Sequence, residues 1–525
     1  MDGVQFTDGT TSSECHKRVL SHALDNKRVL VDNKWRENYH KYFVELVEAS
    51  AKSPEAALQI SQRALSKLEE QFIWMDSNGK KYSLYNAVNS TVDQVIFGGQ
   101  RPSLSSVEIV GQAPFLSPPE FQVRFDGQLL SGSKLIGKID DWVSRGIMEP
   151  SAGTAIRTIA EDSSFRDLRD KHFVLLGAAS AMGPIETLLE FGATVYAVEL
   201  PRPQVWKRLI NLARSSSGTL VVPVAYGTMD DESLFDAAGC DLLMDTPAVA
   251  SWVASCAPTK NIVLGTYVYL DGERFTRISA ATDAICSAVC RVRGGVDSHN
   301  GVSLAHLLSP TEVHCIPEDA IQESIRRIET LSLHSLWEQF IRVVSRSRYL
   351  EPNIPSCIKT NDNKELRIQD SIVWQQGPNY SFAKQVQKWR AIVSRNKGHL
   401  CSATVGPATL TDSVMHNQLV AAGMLGCAHF CIEAFEVSTS NKLLAGVLLW
   451  DIKSENSMAN PAFRVTSPLE VFSQNAIHGG TFRAAFKTNS YTEVSALLFF
   501  FDKAKPMVLG GAAALTSYKL IRPKL

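Results

Sequence analysis

The first strong pattern along the chain is helical. Between Lys34 and Phe72 the apolar residues Tyr39, Tyr42, Phe43, Leu46 and Val47, then Leu58, Ile60, Leu65 and Leu68, recur at three- and four-residue intervals. From Asp76 to Gly153 the pattern breaks into turn-rich pieces, SNGKK, FGGQRP, LSPPEF and SGSKLIGK. These predict loops, a few short strands and one helix near Ile139–Arg145, so residues 1–150 read as an accessory region of helices and loops. At Lys171 the period changes. HFVLLGAASAMGPIETLLEFGATVYAVEL holds an apolar run, a loop of small residues, a helix-like segment from Pro184 to Phe191 and a second β-rich run ending in an acid, which is a β-α-β unit. The alternation continues through a helix over Val205–Arg214, a strand at Thr219–Val224, a helix near Ser233–Ala238, and strands at Cys240–Asp245 and Asn261–Leu270. Buried strands alternating with helices require a parallel sheet covered on both faces. The expected fold class is therefore α/β, a doubly wound parallel sheet.

From Asp271 to Glu365 the pattern turns mostly helical, Glu318–Tyr349 included, and closes on the Pro/Asn-rich EPNIPSCIKTNDNKE. Residues 271–365 thus read as a helical insertion between a first sheet part, 151–270, and a second, 366–525. In the second part IQDSIVW, a helix over Tyr380–Arg395, the strand HLCSATVG and a helix over Ser413–Phe435 resume the alternation. A C-terminal substrate or oligomer region follows, with VSALLFFFDKAKPMVLGGAAAL expected as a core strand and loop or an oligomer contact.

Composition narrows the function classes. At 525 residues, 45% apolar and 20% charged, the chain can form two or three structural units and is not a disordered one. Lys plus Arg is 53 against 54 Asp plus Glu, whereas a protein that holds nucleic acid by neutralising phosphates carries a basic excess. A small-molecule substrate is expected rather than nucleic acid. The ten cysteines are scattered from Cys15 to Cys431 and suit a reduced interior. The polar N-terminus lacks the apolar core of a secretory signal, and no apolar run reaches the roughly 18 residues of a membrane span. A cytoplasmic location is expected; the closing Pro523-Lys524-Leu525, one residue from Ser-Lys-Leu, adds a peroxisomal alternative.

Two constellations could carry chemistry. The loop Gly177-Ala-Ala-Ser180-Ala181-Met182-Gly183 follows the first strand, and its small residues would let backbone amides approach a phosphate. Glu199 ends the next strand 22 residues after Gly177, close to the spacing at which a carboxylate binds adenosine ribose hydroxyls. A free ribose suits Glu199, which leans towards NAD; Arg202, Lys207 or Arg208 could instead hold a 2′-phosphate. Asp230 and Asp231 could contact adenine or cap a helix. The second constellation is Tyr380-Ser-Phe-Ala-Lys384, whose i, i+4 spacing puts phenol and amine on one helical face. An ammonium beside a phenol favours the phenolate, so the tyrosine could exchange a proton with a carbonyl or alcohol near neutral pH. The next strand ends in Gly406-Pro407-Ala-Thr409-Leu-Thr411, set to turn the chain over a cofactor. His478-Gly-Gly could line a substrate pocket. The pairs Cys286/Cys290 and Cys427/Cys431 do not make a four-ligand zinc pattern, so no metal is expected.

Across Lys171–Leu270 and Arg367–Phe435 these residues resemble the short-chain dehydrogenase/reductase family. The resemblance implies a Rossmann-like sheet, a nicotinamide cofactor and a Ser-Tyr-Lys active site. Gly177, Ala181 and Gly183 fall on the family's glycine-rich positions. Tyr380 and Lys384 match its acid/base tyrosine and ribose-binding lysine, and Thr409 or Thr411 its carboxamide-binding threonine. Ser371, nine residues before Tyr380, is the candidate carbonyl polariser, and the family's asparagine has no counterpart. The implied activity is NAD(P)-dependent reduction of a carbonyl or oxidation of a secondary alcohol. VLLGAASAMG with GATVYAVEL also fits an S-adenosylmethionine methyltransferase, and an inactive cofactor-binding scaffold is a third reading.

Overall fold

The computed structural model describes residues 3–225, 231–334 and 349–508. Seven strands form the central sheet: β1 (Ser105–Val110), β2 (His172–Leu176), β3 (Thr194–Val198), β4 (Thr219–Val224), β5 (Ile262–Thr266), β6 (Val302–Leu308) and β7 (Cys401–Val405). Their order across the sheet is β7-β6-β5-β2-β3-β4-β1. β2 to β7 are parallel, and β1 closes the β4 edge antiparallel. The chain therefore builds outward from β2 through β3 to β4, returns, and builds outward again from β5 to β7. This reversal leaves a switch point between β2 and β5, at the carboxyl ends of the strands.

Period-two alternation within each strand supplies two cores. Phe173 and Leu175 of β2 face one, Val174 and Leu176 the other. The first lies under the helices Gly132–Ser144, Pro150–Glu161, Pro203–Arg214 and Val437–Lys453. The second lies under Leu84–Ile96, Thr246–Ser255, Glu273–Arg293 and Gly377–Asn396. The N-terminal region is helical as expected, as Ser12–Leu24, Trp35–Ser50 and Pro54–Glu69. Local chemistry sets its boundaries: Thr11 and Glu14 form a reciprocal capping box, and Ser53 accepts from Ala56 N ahead of Pro54. These helices pack over Gly377–Asn396, of which sixteen of twenty residues are buried. Its lysines and arginine must therefore find partners inside the protein.

Several expectations change. The region 76–153 holds the expected short strands and a helix, Gly132–Ser144, that takes in most of Ile139–Arg145; beyond these it supplies the helix Leu84–Ile96 and β1 of the main sheet. Cys240–Asp245 is a turn, because Asp241 Oδ1 accepts from Leu243 N at 2.8 Å and Asp245 Oδ2 from Asp241 N at 2.9 Å, curling the chain back. The segment 271–365 is not a helical insertion throughout, since it contains β6, which pairs with β5 and β7 in the main sheet. The true excursion lies between β6 and the Gly377 helix. It holds the helix Glu318–His334 and a small antiparallel sheet of Val313–Ile316, Glu365–Asp370 and Ser356–Lys359. IQDSIVW therefore begins in that small sheet rather than the main one. The expected helix over Ser413–Phe435 divides into Asp412–Met415, Gln418–Gly426 and a short 3-10 turn. VSALLFFFDKAKPMV lies in the helix Thr488–Val508 rather than in a strand, and the rest of that apolar segment, like Pro523-Lys524-Leu525, lies outside the described residues. Among the described residues no helix is long and apolar enough to cross a membrane.

Candidate functional site

The glycine loop leaves β2 at the switch point. Gly177 has φ +82°, and a Cβ there would sit 3.0 Å from Val268 N, so glycine is needed for the loop to pass the chain leaving β5. The amides of Gly177 and Ala178 both donate to Val198 O, Ser180 N to Gly177 O, and Gly183 N to Ser180 O. Ala179 N donates to Glu199 Oε2 at 3.0 Å, and Leu200 N to Glu199 Oε1 at 3.0 Å. The acid at the end of β3 is thus a clamp on the loop, with its remaining lone pairs left for a ligand. Arg208 donates to Ala179 O at 3.3 Å, and Asn441 donates to Ala181 O at 3.2 Å and to Gly183 O. Within the described residues the amides of Ala181 and Met182 have no protein acceptor. The helix that follows, Ile185–Glu190, has six residues, so these two amides and the Arg208 guanidinium are the donors an anion would meet, with little macrodipole behind them. Arg202 and Lys207 are exposed nearby. Asp230 lies outside the described residues, and Asp231 opens the helix Asp231–Ala237.

The loop after β7 lies at the same end of the sheet. Gly406 N donates to Leu308 O at 3.1 Å, and Thr409 Oγ1 bonds Ser440 Oγ at 2.7 Å and Pro407 O at 3.0 Å. Thr411 N donates to Thr409 O at 2.8 Å. Ser440 and Asn441 are neighbours on the Val437–Lys453 helix, so one helical end ties the β7 loop to the glycine loop. Between them lies a small cleft lined by Met182, Pro184, Tyr267, Leu307, Thr404 and Leu444.

Tyr380 and Lys384 stand on the first turns of Gly377–Asn396, beside the end of β6. Lys384 Nζ donates to Leu307 O at 2.6 Å and lies 5.8 Å from the centroid of the Tyr380 ring. Tyr269 and Phe275, from the chain after β5, flank that ring with centroids at 6.3 and 5.7 Å. Burial drives the Tyr380 phenol above its ordinary range, while a hydrogen bond with Ser309 draws it down. The expected lowering is therefore reversed: desolvation dominates, and the phenol keeps its proton at neutral pH. Burial pushes the Lys384 ammonium down to about 8, against the opposing pull of Glu312.

Ser371 does not fill the place expected of it. Its hydroxyl accepts from Gln369 Nε2 at 2.7 Å, and its amide donates to Glu312 O at 3.0 Å, both within the framework of the small sheet. The serine against Tyr380 is Ser309, directly after β6. Its hydroxyl also bonds Thr311 Oγ1 at 2.8 Å. The signal for Ser309 lies in VSLAHLLSP, a strand followed by Ser-Pro, inside the stretch whose pattern reads as mostly helical.

Other candidates prove structural. His478 is fully buried, donating from Nε2 to Glu149 at 2.9 Å and accepting at Nδ1 from Gly480 N at 3.0 Å. Cys286, Cys290 and Cys427 are buried and Cys431 is exposed. Among the described residues no group of three or more His, Cys, Asp or Glu is placed to hold a metal. No protein-family model matches the chain, and no curated protein is significantly similar to it.

Proposed function

We propose that the protein is an NAD(P)-dependent oxidoreductase acting on a carbonyl or secondary alcohol, on a Rossmann-like, doubly wound sheet of the short-chain dehydrogenase/reductase kind. The observation that carries this reading is the convergence of Ser309, Tyr380 and Lys384 at the carboxyl end of β6. They follow one another as strand, serine, tyrosine, lysine and next strand, in a sheet whose order reverses beside them.

A dinucleotide fits the residues present. The Ala181 and Met182 amides with Arg208 would hold its phosphates, Glu199 the adenosine ribose, and Lys384 the nicotinamide ribose. Bound there, the cofactor supplies or accepts the hydride. The chain's own groups handle the proton. Tyr380, kept protonated by burial, donates from its phenol oxygen to the carbonyl oxygen, Ser309 offers that oxygen a hydroxyl donor, and the Lys384 ammonium favours the resulting phenolate. In alcohol oxidation the proton runs the other way. Tyr269 and Phe275 wall this side of the site and limit water around the phenol.

The test is calorimetric titration of the full chain with NADH, NADPH and S-adenosylmethionine, repeated on Gly177→Trp, followed by a carbonyl screen with Tyr380→Phe as control. Reduced nicotinamide should bind to the native chain and not to Gly177→Trp, and Tyr380→Phe should lose about 10²–10⁴-fold in turnover. Binding of S-adenosylmethionine alone would favour the methyltransferase. Nicotinamide binding without any turnover would favour the scaffold, a reading to which the internal tethering of Glu199 and Thr409 gives support.

A further inference from the structure

The loop that carries Ser309 is fastened to the Gly377–Asn396 helix by a buried ion pair that the proton transfer above does not use. Glu312 Oε2 and Lys388 Nζ lie 2.6 Å apart, both side chains about 4% exposed. Glu312 Oε1 also accepts from Ser309 N at 3.4 Å, and Lys388 donates to Val313 O at 3.1 Å. His314 Nε2 donates to Ser309 O at 2.8 Å. One helical turn from Lys388 is Lys384, so a second buried lysine lies within the field of the same carboxylate.

We propose that Glu312 and Lys388 are positioning residues, which hold the Ser309 loop against the helix bearing Tyr380 and Lys384 and impose opposed fields on the Lys384 amine. The catalytic meaning of this pair rests on the oxidoreductase reading, but its test does not. Glu312 attracts the Lys384 proton and Lys388 repels it. The other groups facing Lys384 are Tyr380 on its own helix, Phe275 on the helix after β5, and His306 on β6, which burial keeps neutral. The Asp283–Arg390 pair lies further along the same helix and is internally balanced.

A clamp with no electrostatic role would make both single variants loosen the site in the same way, whereas opposed fields give opposite signs. The experiment is carbon-13 NMR of the full chain labelled at lysine Cε, with the Lys384 signal assigned by its loss in Lys384→Met. Relative to wild type, Glu312→Gln should move the Lys384 titration midpoint down by about one pH unit, and Lys388→Met should move it up by a similar amount. The double variant, which removes both charges and strands neither, should return close to wild type. Circular dichroism verifies that each variant is folded. Midpoints that move in the same direction, or that do not move, would overturn the proposal. A normal Lys384 response in a chain with no nicotinamide-dependent turnover would instead remove the oxidoreductase reading and leave the role of the pair intact.

Discussion

Loss of Asp283 would strand a buried charge at a junction of three helices. Asp283 lies inside the Glu273–Arg293 helix with its side chain 1% exposed, and its two oxygens take a forked pair of bonds from Arg390 Nε and Nη2 at 2.7 and 2.8 Å. Tyr85 Oη, from the N-terminal region, donates to the same carboxylate at 2.7 Å. Three helices on one face of the sheet therefore meet on one charge. Asp283→Ala leaves the Arg390 guanidinium in a site from which water is excluded, and breaking a buried pair by removing one partner costs about 3–5 kcal/mol. Tyr85→Phe removes one bond to a charged acceptor and should cost about 1.5–3 kcal/mol. Asp283→Leu combined with Arg390→Met removes both charges at similar volume and should recover most of the loss. Urea unfolding followed by circular dichroism, on wild type and the three variants, measures this order. The reasoning is refuted if Asp283→Ala unfolds at the same urea concentration as Tyr85→Phe, or if the double variant is weaker than Asp283→Ala. Because Arg390 shares a helix with Tyr380 and Lys384, Asp283→Ala should also depress any turnover that the double variant retains.

Three further outcomes are expected. Ser309→Ala should lower carbonyl turnover by about 10²–10³-fold, the usual loss for one donor to a developing oxyanion. Ser371→Ala should leave turnover close to wild type and lower stability by about 0.5–1.5 kcal/mol, since Gln369 Nε2 loses one acceptor and keeps Thr481 O; equal turnover losses in the two variants, in a steady-state assay, would refute the polariser role of Ser309. Burial raises Asp451 to about 6 despite bonds from Ser402, Ser457 and Asn475. Its folded-state pKa is above its unfolded value, so its contribution is fully present below about pH 4 and is lost as pH rises through 6, a cost near neutrality of about 3 kcal/mol. Asp451→Asn should therefore gain stability over wild type at pH 7 and lose that advantage on acidification to pH 4, read from unfolding midpoints across that range.

Local pattern decided much of this protein. Near-continuous apolar runs in HFVLL, TVYAV and TLVVPV mark β2, β3 and β4, because a strand packed on both faces needs apolar residues at every position. The three-to-four-residue period of the N-terminal helices, with Thr11 and Ser53 as caps, is equally local. So is the i, i+4 placement of Tyr380 and Lys384. What the sequence could not decide was set by contacts between distant segments. β6 resembles its helical neighbours until it is seen between β5 and β7, and with it Ser309 moves from an insertion to the side of Tyr380. Cys240–Asp245 has the composition of a strand, but two aspartates turn it. Glu199 has the position of a ribose ligand, yet its oxygens bind the loop that it would share with the cofactor. The charge states of Tyr380 and Lys384 follow from desolvation by layers more than a hundred residues away in sequence, and burial of that kind leaves no trace in spacing.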